Sequence, residues 1–349
     1  MTFRTANTSE SEAAGAAAFP PLMKAAVYTR YGPPEILEIK DVAKPVPQDN
    51  EVLVKVRAAS LNPLDWHFLR GTPYLVRLIA GLHKPKITRL GVDVAGHVEA
   101  TGRNATQFQP GDEVFGTCRG AFAEYVCTAE SALVTKPHHV TFEQAASVPI
   151  AAFTALQGLR DKGRIQARQK VLINGASGGV GTFAVQIAKS FGAQVTGVCS
   201  TKNLDMVRSI GADQVIDYTR EDFTRGEGRY DLILDCMGNH SLSAHRRVLN
   251  AQGICVEVGG PADRWMIGPL FRWIKALVLS EFGNKKQVGF IARSNKKDLT
   301  TIGEILATGK VTPVIDRRYR LSEIREAIRY LEEGHARGKV VIAFEENGF

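Results

Sequence analysis

A glycine-rich segment at residues 174–181, Asn-Gly-Ala-Ser-Gly-Gly-Val-Gly, has the spacing that points most directly to a binding chemistry. It fits the pattern A-x-G-x-x-G through Ala176, Gly178 and Gly181, with alanine replacing the first glycine of the dinucleotide fingerprint. At these positions Gly178 would let the backbone approach a pyrophosphate, and Gly181 would let a helix pack tightly against a strand. The N–H groups that open that helix would bind the anion.

The residues around this segment predict the elements that such a turn needs. An apolar run at 170–174 precedes it, and Phe183, Ile187 and Ala188 follow at helical spacing. Strand and helix signals then alternate, which indicates a parallel sheet with helices on both faces. The predicted strands are 194–199, 214–218, 231–235 and 253–258, and the predicted helices are 204–210 and 242–249. This part of the chain is therefore predicted to be a Rossmann-type, doubly wound α/β unit.

The end of the second predicted strand bears on which dinucleotide binds. Sites that prefer NAD place Asp or Glu there, roughly 20 residues beyond the glycine pattern, to bind the ribose 2′-hydroxyl. This chain has Val-Cys-Ser-Thr-Lys at 198–202. With no carboxylate to repel a 2′-phosphate, and with the hydroxyl of Ser200 and the ammonium of Lys202 nearby, we expect NADPH rather than NADH. An exposed lysine after a strand is also commonplace, so the role of Lys202 stays open.

The flanking parts of the chain have another texture. Residues 23–148 carry short strands and turns, with Val52, Val54 and Val56 recurring at period two, so this half is predicted to be mostly β. The other strands predicted here are 24–28, 36–39, 92–100, 113–115 and 122–127. Near the end, a helix is predicted over 322–331 and a last strand over 340–344, whose partner periodicity does not identify.

Composition removes several classes of protein. The chain has 349 residues, which favours two domains at roughly 150 residues each. With 44% hydrophobic and 23% charged residues it should fold, and no uncharged stretch is long enough to span a bilayer. The net charge of +8 comes from dispersed basic pairs, which argues against nucleic-acid binding. Five widely spaced cysteines form no zinc or disulfide framework.

Two segments are interpreted from composition alone. Residues 1–22 are small, polar and alanine-rich and lack the pattern of a targeting signal, so we expect a disordered tail and a cytoplasmic protein. Residues 265–282 are apolar but interrupted by charges; on a helix, one face would pack on the sheet, a second subunit or the substrate cleft. A helix lying on a membrane surface stays an alternative for this segment, and its aromatic residues would also suit a flat acceptor.

Several motifs, taken in order, resemble those of the medium-chain dehydrogenase/reductases. They are Gly-Val-Asp-Val-Ala-Gly at 91–96, Pro-Gly-Asp-Glu-Val at 110–114, Gly-Ala-Phe-Ala-Glu-Tyr at 120–125 and the segment 145–159 before the glycine-rich turn. The resemblance covers residues 23–344 and is strongest to the quinone oxidoreductases. It implies a GroES-like domain at 23–150, completed by 312–349, with the Rossmann domain inserted at 151–311. In this superfamily we expect a homodimer.

Departures from the zinc alcohol dehydrogenases bear on the chemistry. The resemblance places Asn62 where those enzymes have a cysteine ligand, and Gly91-Val92-Asp93 where they have Gly-His-Glu. Their four-cysteine structural lobe is also missing. Because zinc activation of an alcohol needs three protein ligands, we expect no metal. Hydride transfer without a Lewis acid favours electrophilic acceptors, so the expected substrates are quinones or α,β-unsaturated carbonyls.

The resemblance also implies three candidate catalytic residues near the acceptor. Asn62 lies at the cleft between the domains, where its amide could bind the acceptor or orient the nicotinamide. Asp65 either takes part there or only caps the following helix. His67 lies where some relatives carry a proton-relay residue, and it either donates a proton or merely packs beside Trp66 and Phe68.

The rest of the expected cofactor site is carried over from the family pattern. It comprises Thr154 near the nicotinamide, Ser177, Gly179 and Val180 on the pyrophosphate, Ser200 and Tyr218 at the adenosine ribose phosphate, Gly259 after the fifth strand, and His335, Ala336 and Arg337 in the returning C-terminal segment. Arg337 either pairs with a phosphate or is a solvated turn residue. The sequence thus predicts a metal-free NADPH-dependent reductase of quinones or enones. A non-catalytic NADPH-binding protein and a metal-free carbonyl or alcohol dehydrogenase stay as alternatives.

Overall fold

A computed structural model describes residues 21–259 and 285–345. The predicted tail at 1–22 lies outside the described residues except for Pro21 and Leu22, and Leu22 already opens the first strand. The apolar segment predicted as a helix at 265–282 also lies outside them. No helix in the described part of the chain is long and apolar enough to span a membrane.

The first part of the chain forms mainly antiparallel sheet. Its strands are β1 (Leu22–Val27), β2 (Glu38–Ala43), β3 (Glu51–Ser60), β4 (Asp93–Thr101), β5 (Glu113–Thr117), β6 (Tyr125–Ala129) and β7 (Leu133–Thr135). Its helices are α1 (Pro63–Arg70), α2 (Val76–Ala80) and α3 (Phe142–Ala146). β1 and β2 pair with each other, and β3 pairs with both β4 and β6. The strand predicted at 36–39 is corrected, because Pro34–Ile36 form a 3-10 turn and the strand begins at Glu38.

The middle of the chain forms a parallel sheet covered by helices. After α4 (Pro149–Gln157) come β8 (Lys170–Asn174), α5 (Gly179–Ser190), β9 (Gln194–Cys199), α6 (Leu204–Ser209), β10 (Gln214–Asp217), β11 (Tyr230–Asp235), α7 (Leu242–Val248), β12 (Leu249–Glu257) and β13 (Lys286–Gly289). The strand order is β10-β9-β8-β11-β12-β13, and every pairing is parallel. The direction of the strand order reverses beside β8, and sheets of this type bind their ligands at such a switch point. The predicted Rossmann-type α/β fold is confirmed.

The chain then returns to the first sheet. α8 (Lys296–Ala307) is followed by β14 (Ile315–Arg320), α9 (Ile324–Glu332) and β15 (Lys339–Ala343). β15 lies between β14 and β3, pairing parallel with β14 and antiparallel with β3. The last strand therefore docks on the antiparallel domain, next to the strand that leads into α1.

One hydrophobic core joins the two sheets through α4. Phe153 and Leu156 on this helix are fully buried and pack in the same cluster as Phe115 from β5 and Ile173 from β8. Removing a buried aromatic side chain of this kind costs about 3–5 kcal/mol. The core thus fixes the position of α4, whose first turn contacts the site described next.

Candidate active site

The glycine-rich turn has the backbone geometry of a phosphate-binding turn. Gly175 has a φ of +85°, and the N–H of Gly178 donates to its carbonyl at 3.1 Å. Gly178 is the N-cap of α5. A Cβ at Gly181 would lie 2.1 Å from the Gly175 carbonyl oxygen, so only glycine allows the helix to approach the turn so closely. The left-handed position is therefore Gly175, and Ala176 occupies an ordinary, buried position beside it.

Ser177, predicted on the pyrophosphate, and Ser200, predicted at the adenosine end, are brought together by a residue that the sequence did not reveal. The Asn203 amide donates to the hydroxyl of Ser177 at 3.1 Å and to that of Ser200 at 3.2 Å. Asn203 is 6% exposed. The 3-10 turn that follows β9 buries this side chain. Nothing in the local sequence predicts that an asparagine following a lysine would be buried. Lys202 is exposed in the same turn.

The end of β10 completes this edge of the site. The N–H of Tyr218 donates to the Cys199 carbonyl at 3.1 Å, which places Tyr218, a residue 58% exposed, beside the end of β9. The neighbouring residue Asp217 brings a carboxylate to this edge, which the residues of β9 alone do not predict. Its oxygens accept from the hydroxyls of Thr201 at 2.5 Å and Thr219 at 2.7 Å. The hydrogen bond from Thr201 is the main cause that lowers the pKa of Asp217.

The returning C-terminal segment lies directly against the glycine-rich turn. The N–H of Gly338 donates to the Ser177 carbonyl at 2.9 Å, and Gly338 forms an isolated bridge with Gly178. Gly338 has a φ of +98°, and a Cβ there would lie 2.3 Å from the Val314 carbonyl oxygen. This contact holds the preceding residues beside the turn, with His335 and Arg337 exposed and Ala336 half-buried.

A buried polar network lies at the start of α1, where the resemblance placed catalytic residues. Asn62 donates through Nδ2 to Asp93 Oδ2 at 2.8 Å, and the Ser60 hydroxyl donates to the same oxygen at 2.9 Å. The other carboxylate oxygen of Asp93 accepts from the N–H of Ile150 in α4 at 3.1 Å. Asp93 is fully buried and Asn62 is 3% exposed. The network therefore links the antiparallel sheet to the helix that joins the two domains.

Lys339 supplies the positive charge of this network, and sequence reasoning missed it. Its Nζ donates to Asn62 Oδ1 at 2.7 Å and lies 3.4 Å from Asp93 Oδ2. The side chain is only 3% exposed. Burial lowers the pKa of Lys339, and the nearby carboxylates of Asp93 and Asp65 oppose that shift. A Cβ at Gly179 would lie 3.1 Å from Lys339 Cδ, so the lysine stem passes beside the phosphate turn.

Asp65 occupies the capping arrangement, one of the two interpretations that the sequence left open. Its carboxylate accepts from the N–H of Asn62 at 2.8 Å and from the N–H of Gly91 at 3.0 Å. The residue is 2% exposed, and burial raises its pKa to about 7 against the opposing effect of these hydrogen bonds. Asp65 thus fixes the loop that carries Asn62.

His67 lies two residues beyond Asp65 on α1 and is tied to a different loop. Its Nδ1 donates to the Thr72 carbonyl at 2.8 Å, which assigns the proton to Nδ1, and its ring contacts that of Trp66, tilted by 31° with centroids 3.7 Å apart. Burial is the main cause that lowers the pKa of His67. No hydrogen bond among the described residues connects it to the network of Asn62 and Lys339.

Three further predicted residues are Thr154, Val180 and Gly259. Thr154 is half-buried on α4, and its hydroxyl donates to the Ile150 carbonyl at 2.8 Å. Gly259 is exposed after β12, and a Cβ there would lie 2.1 Å from the Cys236 carbonyl oxygen. Only glycine fits this approach of the two strand ends. Val180 is half-buried in the first turn of α5.

The residues present fit a dinucleotide. The turn at Gly175, the tight packing at Gly181 and the start of α5 form an anion-binding cradle, and two linked hydroxyls flank it. They do not fit a catalytic zinc ion at the position of Asn62 and Asp93. Zinc sites use cysteine, histidine and carboxylate ligands, whereas here an amide, one carboxylate and the ammonium of Lys339 are hydrogen-bonded to one another.

Comparisons with known proteins identify the family of the chain. The model for the alcohol dehydrogenase GroES-like domain matches residues 48–138, and that for a zinc-binding dehydrogenase matches residues 210–342. A chloroplast envelope quinone oxidoreductase homolog of Arabidopsis thaliana is 32% identical, over 92% of this chain and 98% of that protein. An NADPH-dependent alkenal/one oxidoreductase, chloroplastic, of the same plant is 33% identical, over 93% of this chain and 81% of that protein.

A solved structure shows the same fold over nearly the whole chain. The quinone oxidoreductase from Coxiella burnetii superposes with a TM-score of 0.80 at 30% identity, covering 93% of this chain and all of that one. The predicted resemblance is therefore confirmed, as is the combination of a GroES-like domain with a Rossmann-type sheet. The chain belongs to the medium-chain dehydrogenase/reductase superfamily of oxidoreductases.

Proposed function

We propose that this protein is an NADPH-dependent reductase of quinones or α,β-unsaturated carbonyls that works without a catalytic metal. The observation that carries the proposal is the buried network of Asn62, Asp93 and Lys339, which directly adjoins the phosphate turn. The resemblance puts Asn62 at the position of a cysteine ligand of the zinc enzymes. Quinone oxidoreductases and an alkenal/one oxidoreductase among the relatives support the same acceptor classes.

The network prepares Asn62 as a hydrogen-bond donor. Lys339 donates to the amide oxygen and Asp93 accepts one amide hydrogen. Donation into an amide oxygen polarises the group and strengthens its N–H bonds as donors, particularly in a site of low dielectric constant. The second N–H of Asn62 would then bind the acceptor oxygen on which negative charge develops. In this proposal Asp65 only positions the loop, and Lys339 acts through Asn62.

The bound NADPH would supply the hydride. Residues of this chain would hold it: the turn of Ser177 to Gly181 on the pyrophosphate, Ser200 and Tyr218 at the adenosine end, and Arg337 as a cation beside the phosphates. β9 itself ends without a carboxylate and Lys202 follows it, which supports a 2′-phosphate in preference to a free 2′-hydroxyl. The nearby carboxylate of Asp217 is hydrogen-bonded to Thr201 and Thr219. We also propose a homodimer and a cytoplasmic location, although the two plant relatives carry chloroplast names.

The test is oxidation of NADPH and NADH with a panel of acceptors. We expect turnover with 9,10-phenanthrenequinone, 1,4-benzoquinone or a short enone, a lower KM for NADPH than for NADH, and no loss of activity after dialysis against a chelator. NADPH binding without oxidation by any acceptor would favour the non-catalytic alternative, and carbonyl reduction with inert quinones would favour the dehydrogenase alternative.

Two variants test the role of Asn62. The substitution Asn62→Ala removes the polarised donor, and loss of one such donor reduces kcat by about 10²-fold in known cases. Ser60→Ala is the matched control, because Ser60 contacts the same Asp93 oxygen but does not donate to the acceptor. Equal effects of the two substitutions on kcat would contradict a direct role of Asn62.

A further inference from the structure

A buried group of four titratable side chains lies in the parallel-sheet domain, away from the network of Asn62. Asp235 ends β11 and Glu257 ends β12, and the two are paired neighbours in the sheet register. Cys255 precedes Glu257 by two residues, so both side chains leave the strand on one face. His245 on α7 covers that face. Asp235, His245 and Cys255 are fully buried and Glu257 is 5% exposed.

Three of these side chains have the chemistry and proximity of metal ligands. Ligand atoms of His245, Cys255 and Glu257 lie within 4.8 Å of one another among the residues that the structure describes. Zinc bonds of about 2.0–2.3 Å place tetrahedral ligand atoms roughly 3.5 Å apart. Small side-chain rotations that contract the triangle by about 1 Å would therefore bring all three onto one ion. Imidazole, thiolate and carboxylate are the usual protein ligands of zinc.

The fourth residue lies where an outer partner of a metal-bound histidine is expected. His245 Nδ1 faces Glu257 at 4.0 Å, while Nε2 lies 3.5 Å from Asp235 Oδ2. A metal-binding histidine usually donates its other N–H to a carboxylate, which fixes the ring orientation. Asp235 is itself held in place, because its Oδ1 accepts from the Asn174 amide at 2.8 Å and from the N–H of Gly238 at 3.0 Å.

We propose that His245, Cys255 and Glu257 form a binding site for Zn²⁺, with Asp235 orienting the histidine. The site is separate from the place of catalytic zinc in the superfamily. It ties together the carboxyl ends of β11 and β12, and Asp235 connects it through Asn174 to the strand that precedes the phosphate turn.

Cobalt titration of the full-length, chelator-treated protein tests this site. Cobalt bound through a cysteine gives a thiolate-to-metal charge-transfer band in the near ultraviolet together with visible bands of a tetrahedral ion. We expect both at one equivalent, and we expect Zn²⁺ to abolish them. Cys255→Ser should lose the charge-transfer band, whereas Cys127→Ser, a half-buried thiol in the other domain, should keep it. Asp235→Asn should weaken zinc binding by roughly 10–100-fold.

The outcomes decide the proposal in either direction. Absence of the charge-transfer band in the unaltered protein, or its persistence in a folded Cys255→Ser variant, would overturn it. If circular dichroism shows that Cys255→Ser does not fold, Glu257→Gln is the second test. This variant keeps the thiolate and should bind cobalt more weakly than the unaltered protein does. Unchanged cobalt affinity in Glu257→Gln would also overturn the proposal. Quinone reduction by a folded Cys255→Ser variant should stay within about twofold, which separates this site from the proposed reaction.

Discussion

Replacement of Lys339 by methionine tests whether its buried ammonium organises the active-site network. Methionine keeps most of the stem that packs beside Gly179 and removes only the charge. At 3.4 Å and an effective dielectric constant near 20, the attraction between Lys339 and Asp93 is about 5 kcal/mol before desolvation. Removing one partner of a buried pair costs about 3–5 kcal/mol, because the other charge is left unpaired. Lys339→Met should lower the free energy of unfolding by this amount.

A double-mutant cycle separates this coupling from simple loss of packing. Asp93→Asn alone leaves the ammonium unpaired and should also destabilise, whereas Lys339→Met with Asp93→Asn removes both charges and should cost about 3 kcal/mol less than the sum of the single substitutions. Urea unfolding gives the free energy of unfolding of the unaltered protein, of both single variants and of the double variant. Additive losses would refute a direct ion pair.

The same variant has a kinetic signature. If Lys339 acts by polarising the Asn62 amide, Lys339→Met should reduce kcat at least about tenfold while the KM for NADPH changes little. A merely structural role would change both constants through partial unfolding, and the effect would disappear when assays are restricted to the folded fraction. Unchanged kcat in a folded Lys339→Met protein would refute the polarisation of Asn62.

Three further outcomes follow from the geometry. Gly181→Ala should destabilise the protein by about 1–3 kcal/mol, because its Cβ would meet the Gly175 carbonyl at 2.1 Å; Gly178→Ala, with 3.5 Å to the same oxygen, should leave thermal stability unchanged and weaken only NADPH binding, as fluorescence titration will show. Because its pKa is raised to about 7, protonated Asp65 contributes stability that is complete below about pH 4 and is lost as the pH rises through 7. Urea unfolding should show this loss, up to about 4 kcal/mol, and Asp65→Asn should abolish it; an identical pH slope in the variant would show that another group is responsible. His67→Phe should keep kcat within about threefold from pH 6 to 9, since the Nδ1 proton of His67 is donated to the Thr72 carbonyl and the lowered pKa favours the neutral ring; a loss of activity confined to the variant would restore His67 as a proton donor.

The elements that the sequence predicted best are those buried on both faces. The predicted ranges of β8 and β9 match the structure residue for residue, because a continuous apolar run bounded by turn residues has few other interpretations. β13 and β14 were not predicted. β13 is a short edge strand with a polar start, and β14 carries four charged residues in six, so its strand character comes from pairing with β15. The periodicity of a strand's own residues does not indicate which strand it will pair with.

One missed helix did carry a signal. Before α8, Asn295 accepts the N–H of Asp298, and Leu299, Ile302 and Leu306 are buried at helical spacing. This capping residue and apolar face are readable from the sequence. Lys339 is different in kind, because lysine is almost never fully buried unless it is paired, and its partners lie 277 and 246 residues away. Only the fold brings them together.

The C-terminal segment explains why the two halves of the candidate site share one strand. Gly338 and Lys339 are consecutive, yet the N–H of the first donates to the phosphate turn and the ammonium of the second donates to Asn62. The left-handed backbone at Gly338 turns the chain so that both contacts form at once. A displacement of the phosphate turn would therefore move the lysine that orients Asn62. In the proposed mechanism, binding of the dinucleotide and polarisation of the acceptor are therefore coupled through one peptide unit.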